Sequence, residues 1–211
     1  MLFKIGGVFL VVVAVLSGMT SCTRKTGGPD SNSNGQVGIA SWYGPGFQGR
    51  LTASGEPFDA EKMTAAHRTL PFGTKVRVHS LVTEKITEIR INDRGPFVAD
   101  RIIDLSQAAA QAISMQGVAN VRLEILSMPP TRDADLFAVQ VGAFPAQPEA
   151  AKLANDMRQR YGAARLVFRE GDQTWRVLVG LEPTVDGANS LAEKLQKEAG
   201  PAFVVRVDSE Q

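Results

Sequence analysis

Apolar positions in the C-terminal third of the chain repeat with a period of 38 residues. In each copy, alternate apolar positions predict a strand, a helical apolar pattern closed by glycine predicts a helix, and a final apolar pair predicts a second strand. Two copies predict a βαββαβ domain, a split βαβ sheet with both helices on one face. In the first strand, the matching pairs are Phe137 and Trp175, Val139 and Val177, Val141 and Val179, and Gly142 and Gly180. In the helix and its closing glycine, they are Ala150 and Ala188, Leu153 and Leu191, Met157 and Leu195, and Gly162 and Gly200. In the second strand, they are Leu166 and Val204, and Val167 and Val205.

The period-2 geometry of a strand assigns these residues to two faces of the sheet. Phe137, Val139 and Val141 are expected beneath the helices. The opposite, open face then carries an amide, a guanidinium and an aromatic ring, which is a set suited to binding a ligand. A merely solvated face is the alternative. The residues expected on the open face are Gln140, Phe144, Arg176 and Leu178.

The preceding segment, residues 37–128, consists mainly of short strand-like runs separated by Gly and Pro, with a helical pattern at residues 106–115. Many short strands with little helix predict a small β-barrel. Two prolines within residues 128–133 end the last strand-like run and mark a boundary. We expect a mainly β barrel over residues 37–128, a linker over 129–134, and the α+β domain over 135–211.

The chain begins with an apolar run over residues 5–16, preceded by Lys4. This run is shorter than the roughly 20 residues that span a bilayer, which favours a cleaved signal peptide over residues 1–21. Residues 22–36 are polar and rich in Gly, Ser and Asn, a composition that predicts a flexible tether. Cys22 is the only cysteine, so no intrachain disulfide can form.

Charge argues against a nucleic-acid partner. The formal net charge of the chain is +1, and residues 135–211 carry nine Lys and Arg against eleven Asp and Glu. A domain that neutralises phosphates should be basic. This excludes the most obvious alternative use of a βαββαβ domain, which is RNA binding.

One carboxylate stands out for its position. The alternating run over residues 88–91 predicts a half-buried strand, and it breaks at residues 92–97 into a turn that contains Asp93, Gly95 and Pro96. A carboxylate held at a strand end by a rigid turn is suited to acid–base catalysis. Asp is also an ordinary turn residue, so the position alone leaves both interpretations open.

The C-terminal domain resembles the SPOR family. The resemblance lies in residues 137–144 together with residues 175–180, and it covers about the last third of the chain. It implies binding to peptidoglycan glycan strands that lack stem peptides, and enrichment at division septa. The open-face residues Gln140, Phe144 and Arg176 are the expected glycan contacts.

The N-terminal domain resembles the rare lipoprotein A family. Three stretches carry the resemblance in the expected order: residues 40–44, residues 64–74, and residues 92–97 with 101–106. The resemblance implies a six-stranded double-psi β-barrel and a lytic transglycosylase that acts on naked glycan strands. Its acidic, histidine and aspartate functional positions correspond here to Glu56, His67 and Asp93.

The chemistry implied by this resemblance needs few catalytic groups. A lytic transglycosylase uses the C6 hydroxyl of muramic acid to displace the glycosidic bond and leaves 1,6-anhydro ends, so one residue, assigned here to Asp93, serves as acid and then as base. His67 and Glu56 would orient the sugar or tune the acid, and Arg94 would contact substrate. Trp42 and Tyr43 are suited to stacking on sugar rings or to packing in the core.

Several alternatives remain open from the sequence. The barrel could bind glycan without cleaving it, as expansin-like proteins do. His67 could be a surface histidine that caps a turn, Glu56 an ordinary exposed turn acid, or His67 with two acids a metal site. We expect no metal and no cofactor.

The end of the apolar run predicts how the chain is anchored. Small residues over 17–21 lead into Cys22, which resembles a bacterial lipobox and implies lipidation of that cysteine. The alternative is a soluble secreted protein with one free thiol. Thr23 after the cysteine favours the outer membrane over the inner membrane.

Overall fold

The computed structural model describes residues 35–130 and 135–208. Six strands close into a barrel in the order β1-β5-β2-β4-β3-β6. Strand β1 pairs in parallel with β5, and β2 in parallel with β4, while the other neighbours are antiparallel. This confirms the predicted six-stranded barrel. The strands are β1 (Gln36–Trp42), β2 (Thr64–Ala66), β3 (Lys75–Ser80), β4 (Ile86–Asp93), β5 (Arg101–Leu105) and β6 (Ala119–Ser127).

Alternation of apolar and polar residues builds the barrel interior. In β3, Val76 and Val78 are fully buried while the residues between and beside them are more exposed. Ile89 and Ile91 of β4 are likewise buried, while Glu88 and Arg90 are more exposed. Inward-facing residues of a strand recur with period 2, so these four side chains enter one shared core.

A short helix, α1 (Gln107–Ala112), closes the space beside β5. Ser106 is its N-cap, and the side chain of Ser106 accepts a hydrogen bond from the backbone N–H of Ala109 at 3.2 Å. Ala109, Ala110 and the following Ile113 are buried in the barrel core. The helix begins where the sequence predicts it and ends three residues earlier than the predicted Met115.

The second domain has the predicted βαββαβ order. It consists of β7 (Phe137–Phe144), α2 (Gln147–Tyr161), β8 (Ala164–Arg169), β9 (Thr174–Glu182), α3 (Val185–Ala199) and β10 (Phe203–Arg206). Its strands form an antiparallel sheet in the order β10-β7-β9-β8. Val139 and Val141 of β7 pack in one core with Ala150 and Met157 of α2 and with Leu195 of α3, so the helices cover the predicted face.

The prediction for Phe144 is wrong. Its ring packs against the helix-side core instead of lying on the opposite face with Gln140. The register of β7 against β9 shifts between Gln140 and Gly142, which marks a bulge. An extra residue in one strand reverses the alternation beyond it, so Phe144 is turned to the helix side.

The opposite face of the sheet packs against the barrel. Ala138, Leu178 and Val205 form a small apolar cluster with Phe97, which follows β4. The backbone N–H of Arg206 in β10 also donates to the carbonyl of Arg68 at 3.0 Å. The face that the sequence leaves open is therefore covered by the barrel in this structure.

The predicted signal peptide, most of the tether and Cys22 lie outside the described residues. Strand β1 begins at Gln36, which is the last residue of the predicted tether. Within residues 35–130 and 135–208, no helix has the length and apolar character that a membrane crossing requires.

Candidate functional site

Asp93 lies at the end of β4 and is 4% exposed. Its Oδ1 accepts hydrogen bonds from the backbone N–H of Ala53 at 2.8 Å and from that of Arg94 at 2.7 Å. Its Oδ2 accepts a bond from the hydroxyl of Tyr43 at 2.7 Å. The turn that the sequence predicts after β4 thus holds the carboxylate through its own backbone, as a positioned acid–base group requires.

The Asp93 carboxylate lines a cavity of about 150 Å³ between the barrel and the sheet domain. Tyr43 forms one wall, with its ring 4.7 Å from that of Phe58 and 5.1 Å from that of Phe47. Burial, with a smaller contribution from the Asp93 charge, raises the pKa of Tyr43 well above its usual value. Tyr43 therefore stays a hydrogen-bond donor to Asp93 throughout the physiological pH range.

A second carboxylate, Asp104, lines the same cavity and was not among the candidate residues. Arg101 donates to both of its oxygens at 2.8 Å, and Ser41 donates to Oδ1 at 2.5 Å. The sequence offered a signal for Asp104, because this residue belongs to the stretch 101–106 that carries part of the family resemblance. The alternation of β5 alone did not show that this residue reaches the cavity.

Three residues of the sheet domain also line the cavity with charged side chains. Arg169, at the end of β8, pairs with Asp93 Oδ1 and donates to the carbonyl of Arg94 at 2.8 Å. Asp172 follows in the β8–β9 hairpin and pairs with Arg176 of β9. Sequence reasoning missed Arg169, because nothing in its local pattern indicates a partner 76 residues away.

Glu56 does not line this cavity, although its backbone carbonyl accepts hydrogen bonds from Thr52, which does. Its carboxylate accepts two bonds from Arg90, at 3.0 and 2.7 Å, and one from the side chain of Asn92 at 3.3 Å. The hydrogen bond from Arg90 is the main cause that lowers the pKa of Glu56. An ionised, paired carboxylate beside β4 can support the strand that carries Asp93, but it holds no proton to donate.

His67 is 4% exposed, so it is not a surface histidine. Its Nδ1 accepts bonds from the backbone N–H groups of Thr69 at 3.2 Å and Leu70 at 3.1 Å, which leaves Nε2–H to donate to Gln36 at 3.0 Å. Burial, followed by the charges of Arg94 and Arg68, lowers the pKa of His67 to about 3. The imidazole is therefore neutral near pH 7.

The imidazole of His67 and the carboxylate of Asp93 line different cavities. Their connection runs through the backbone, where the N–H of His67 donates to the carbonyl of Asp93 at 3.1 Å. That backbone bond does not depend on the side chain. The part specific to histidine is the ring, which holds the turn of Thr69 and Leu70 and the start of β1 at Gln36. This geometry supports a positioning role, which the sequence could not distinguish from contact with the sugar.

Arg94 and Trp42 are occupied by packing. The guanidinium of Arg94 is 7% exposed, lies 3.8 Å from the ring centre of Phe72, and donates twice to Asp208, at 2.7 and 2.5 Å. Trp42 packs against the barrel core. Of the two adjacent aromatic residues proposed to bind sugar, only Tyr43 lines the Asp93 cavity.

Gln140 and Arg176 lie together on the sheet face opposite the helices, as predicted. Arg176 donates to the Gln140 side chain at 2.9 Å, and both residues are less than 10% exposed. Arg176 also lies 4.3 Å from the ring centre of Phe97. Across the part of the chain that the structure describes, no three His, Cys, Asp or Glu side chains are grouped so as to hold a metal ion.

Comparison with protein families gives two matches. Residues 35–124 match the lytic transglycolase family model, and residues 133–206 match the SPOR domain model. The first match contains Glu56, His67, Asp93 and Asp104. The second contains Arg169, Arg176 and both helices of the sheet domain.

Three relatives carry the same name, endolytic peptidoglycan transglycosylase RlpA. That of Vibrio cholerae serotype O1 is 39% identical over 185 residues, which are 82% of this chain and 70% of the relative. That of Helicobacter pylori (strain 26695) is 37% identical over 172 residues, 81% of this chain and 51% of the relative. That of Campylobacter jejuni is 53% identical over 91 residues, 42% of this chain and 33% of the relative. The chain thus spans about half, or less, of the last two.

Proposed function

Because the chain belongs to the rare lipoprotein A (RlpA) family, we propose that it is a lytic transglycosylase that cleaves the glycan strands of peptidoglycan. The observation that carries the proposal is the state of the carboxylates that line the cavity or lie beside it. Asp104 is paired with Arg101, Asp172 with Arg176, and Glu56, beside the cavity, with Arg90. Asp93 is held by donors from its own barrel, and its only cationic partner among the described residues, Arg169, comes from the other domain.

A single available carboxylate suits transglycosylation better than hydrolysis. A hydrolase needs a second carboxylate to activate water or to act as nucleophile. In the proposed reaction, Asp93 donates its proton to the glycosidic oxygen while the C1–O bond breaks. The C6 hydroxyl of the same muramic acid then attacks C1 and returns its proton to Asp93. The products are a free 4-hydroxyl end and a 1,6-anhydro end.

His67 and Glu56 act in this proposal as positioning residues. The His67 ring holds the turn after β2 through its bonds to Thr69 and Leu70. Glu56 holds Arg90 and Asn92, which precede Asp93 in β4. A misplacement of a catalytic group by about 1 Å can cost about 100-fold in rate. Tyr43 fixes the second oxygen of Asp93.

The SPOR domain supplies the proposed preference for strands that lack stem peptides. Gln140 and Arg176 offer an amide and a guanidinium side by side, which suits the hydroxyl and acetamido groups of an exposed sugar chain. We further propose that Cys22 carries a lipid that anchors the protein in the cell envelope, facing the periplasm, with the outer membrane favoured and with enrichment at the division septum.

One observation favours a second function, namely wall binding without cleavage. Asp93 accepts hydrogen bonds from Tyr43, Ala53 and Arg94 within the barrel, and a carboxylate held in this way can serve to fix the loops around a glycan groove. A barrel that used Asp93 only for that purpose would bind glycan without cleaving it, as an expansin-like protein does. The two functions differ in their products, so one digestion experiment separates them.

The test is digestion of amidase-treated peptidoglycan by the protein, followed by mass analysis of the fragments. Wild-type protein should release fragments with anhydro ends. Asp93→Asn removes the transferable proton but preserves the shape of the side chain, so release should fall by about 10²–10⁴-fold. Asp59→Asn, at an exposed acid paired with Lys62, is the matched control and should cleave normally.

Fragments that end in reducing muramic acid would instead indicate hydrolysis. Unchanged turnover by Asp93→Asn would reject Asp93 as the acid. Absence of turnover in the wild type, with binding retained, would favour the second function.

A further inference from the structure

The β8–β9 hairpin of the SPOR domain covers the candidate catalytic acid. Arg169 pairs with Asp93 and anchors itself on the carbonyl of Arg94, and the hairpin residues Gly171 and Asp172 line the same cavity. A carboxylate oxygen that is held by a guanidinium cannot approach a glycosidic oxygen. In this arrangement Asp93 has no room for a sugar ring on the Arg169 side.

The same contact covers the glycan face of the SPOR domain. Phe97, from the turn after Asp93, packs into the apolar cluster of Ala138, Leu178 and Val205. Its ring also lies against the guanidinium of Arg176. Each domain thus occupies the surface that the other needs for a glycan strand.

The contact has the features of a specific interface. Arg94 of the barrel and Asp208 after β10 form a two-bond ion pair with Arg94 almost fully buried. Phe203 of β10 lies 6.1 Å from the ring of Phe97, edge to face. Aromatic and paired Arg side chains at the centre of a patch are the usual energetic anchors of an interface.

We propose that this arrangement is a closed, inactive state, and that a glycan strand binding to the SPOR face opens it and frees Asp93. The identity of the ligand rests on the proposed function, whereas the closed state rests on the contacts alone. A ligand that binds only the open state shifts the equilibrium by its difference in affinity for the two states. Binding of strands without stem peptides would then switch on cleavage where such strands occur.

Gly171 provides a selective way to open the contact. A methyl group added there would clash with the carbonyl oxygen of Leu51 in the barrel, and apart from the neighbours of Gly171 in the chain only the Leu51 carbonyl group lies within 4 Å. The φ angle of Gly171 is outside the left-handed region, so alanine is not strained within its own domain. Gly171→Ala should therefore disfavour the closed state without disturbing either fold.

The first test compares Gly171→Ala with wild-type protein on peptide-free strands. We expect cleavage and pelleting with peptide-free sacculi to rise by about fivefold or more, the scale of an ordinary allosteric coupling. Gly46→Ala is the matched control, since a methyl group there meets nothing within 4 Å. A folded Gly171→Ala protein with reduced cleavage would mean that the hairpin completes the active site, and would overturn the proposal.

The second test locks the contact. The N–H of Arg206 is bonded to the carbonyl of Arg68 at 3.0 Å, so the two backbones are in direct contact at these positions. A disulfide needs Cα atoms about 4.4–6.8 Å apart, which makes this pair the natural choice for a cross-link. Arg68→Cys with Arg206→Cys is made in the full chain carrying Cys22→Ser, so that the two introduced thiols are the only ones. Oxidation should abolish both cleavage and sacculus pelleting, and reduction should restore both.

These results separate the closed state from the proposed activity. One result is a protein that never cleaves, yet loses pelleting on oxidation and regains it on reduction. That result would support the closed state and count against the transglycosylase. Equal cleavage before and after reduction would support the transglycosylase and overturn the closed state. Failure of the two cysteines to pair under oxidation would also overturn it.

Discussion

Asp93 is positioned by groups that come from three separate parts of the barrel. Arg94 belongs to the turn after β4, Ala53 to the loop between β1 and β2, and Tyr43 follows β1 directly. Two of the three donors are backbone N–H groups, which only a substitution by proline removes. The site is therefore tolerant of sequence change at Ala53 and Arg94 as far as these two bonds are concerned.

His67 gives a prediction at the same scale. Its pKa is about 3 in the folded protein and near 6.5 when exposed, so between these values the unfolded state binds more protons. The free energy of unfolding should therefore decrease as the pH falls below 6.5, by about 1.4 kcal/mol per pH unit from this residue alone. Urea unfolding between pH 7 and pH 4 measures the slope.

The control for this prediction is His67→Asn, which should be less stable at pH 7 but should lack this part of the slope. Parallel pH dependences of wild type and His67→Asn would contradict the buried, neutral imidazole.

At the residue scale, sequence reasoning predicted what is local: the place of Asp93 at the end of a strand, because the strand run and its turn are adjacent in the chain. The His67 side chain bonds to Gln36 and Asp93 pairs with Arg169, and neither partner lies near in sequence. Such pairings follow from the closure of the barrel and the docking of a second domain, which leave no periodic pattern to read.

At the scale of elements, the 38-residue repeat predicted the βαββαβ order because each helix must bury one apolar stripe on the same sheet face. The bulge in β7 was not predicted. It lies next to Gly142, where an added Cβ would lie 3.0 Å from Leu153 of α2, so the strand carries glycine where the helix comes closest. Gly180 meets Leu191 of α3 in the same way in the second copy. The register of β7 against β9 also shifts between Phe137 and Val139, where the extra residue belongs to β9. Each copy therefore has a bulge beside its glycine, and the repeat preserves both the bulge and the close approach of the helix.

Helix α3 offers a prediction at this scale. Thr184 is its N-cap and accepts a hydrogen bond from the backbone N–H of Gly187 at 3.1 Å. Thr184→Ala should lower the free energy of unfolding by about 1 kcal/mol, because that N–H loses its partner, and Thr184→Asp should restore most of it. Chemical denaturation measures the change. Ser190→Ala, further along the same exposed helix, should have little effect, and an equal loss there would show that the cap is not the cause.

At the scale of the whole molecule, two separate apolar cores are joined by a third, smaller cluster. The sequence predicted both domains, because each core has its own periodic pattern. It did not predict their contact, whose members were expected on an open sheet face and in a turn. Complementary surfaces of two domains are matched in shape and charge, and neither property follows from the spacing of apolar residues.

The ion pair between Arg94 and Asp208 gives the prediction at this scale. Asp208→Asn removes the charge that faces a nearly buried guanidinium, which still donates to the carbonyls of His67 and Leu70. We expect the free energy of unfolding to fall by about 1–3 kcal/mol, as for a buried polar group left partly unsatisfied. Urea unfolding measures it, with Asp156→Asn in an exposed helical ion pair as the neutral control. No loss with Asp208→Asn would show that the pair does not stabilise the described arrangement.

Both strands that pair with β1 come late in the sequence of the barrel domain, which limits the order in which the chain can fold. Gln36 pairs with Leu123 of β6, and Trp42 pairs with Leu105 of β5. Such distant pairings require a long loop to close before any contact compensates for the lost chain entropy, and they slow folding. During synthesis, the first strand of the barrel therefore remains unpaired until the fifth strand has been made, and its second partner comes only with the sixth.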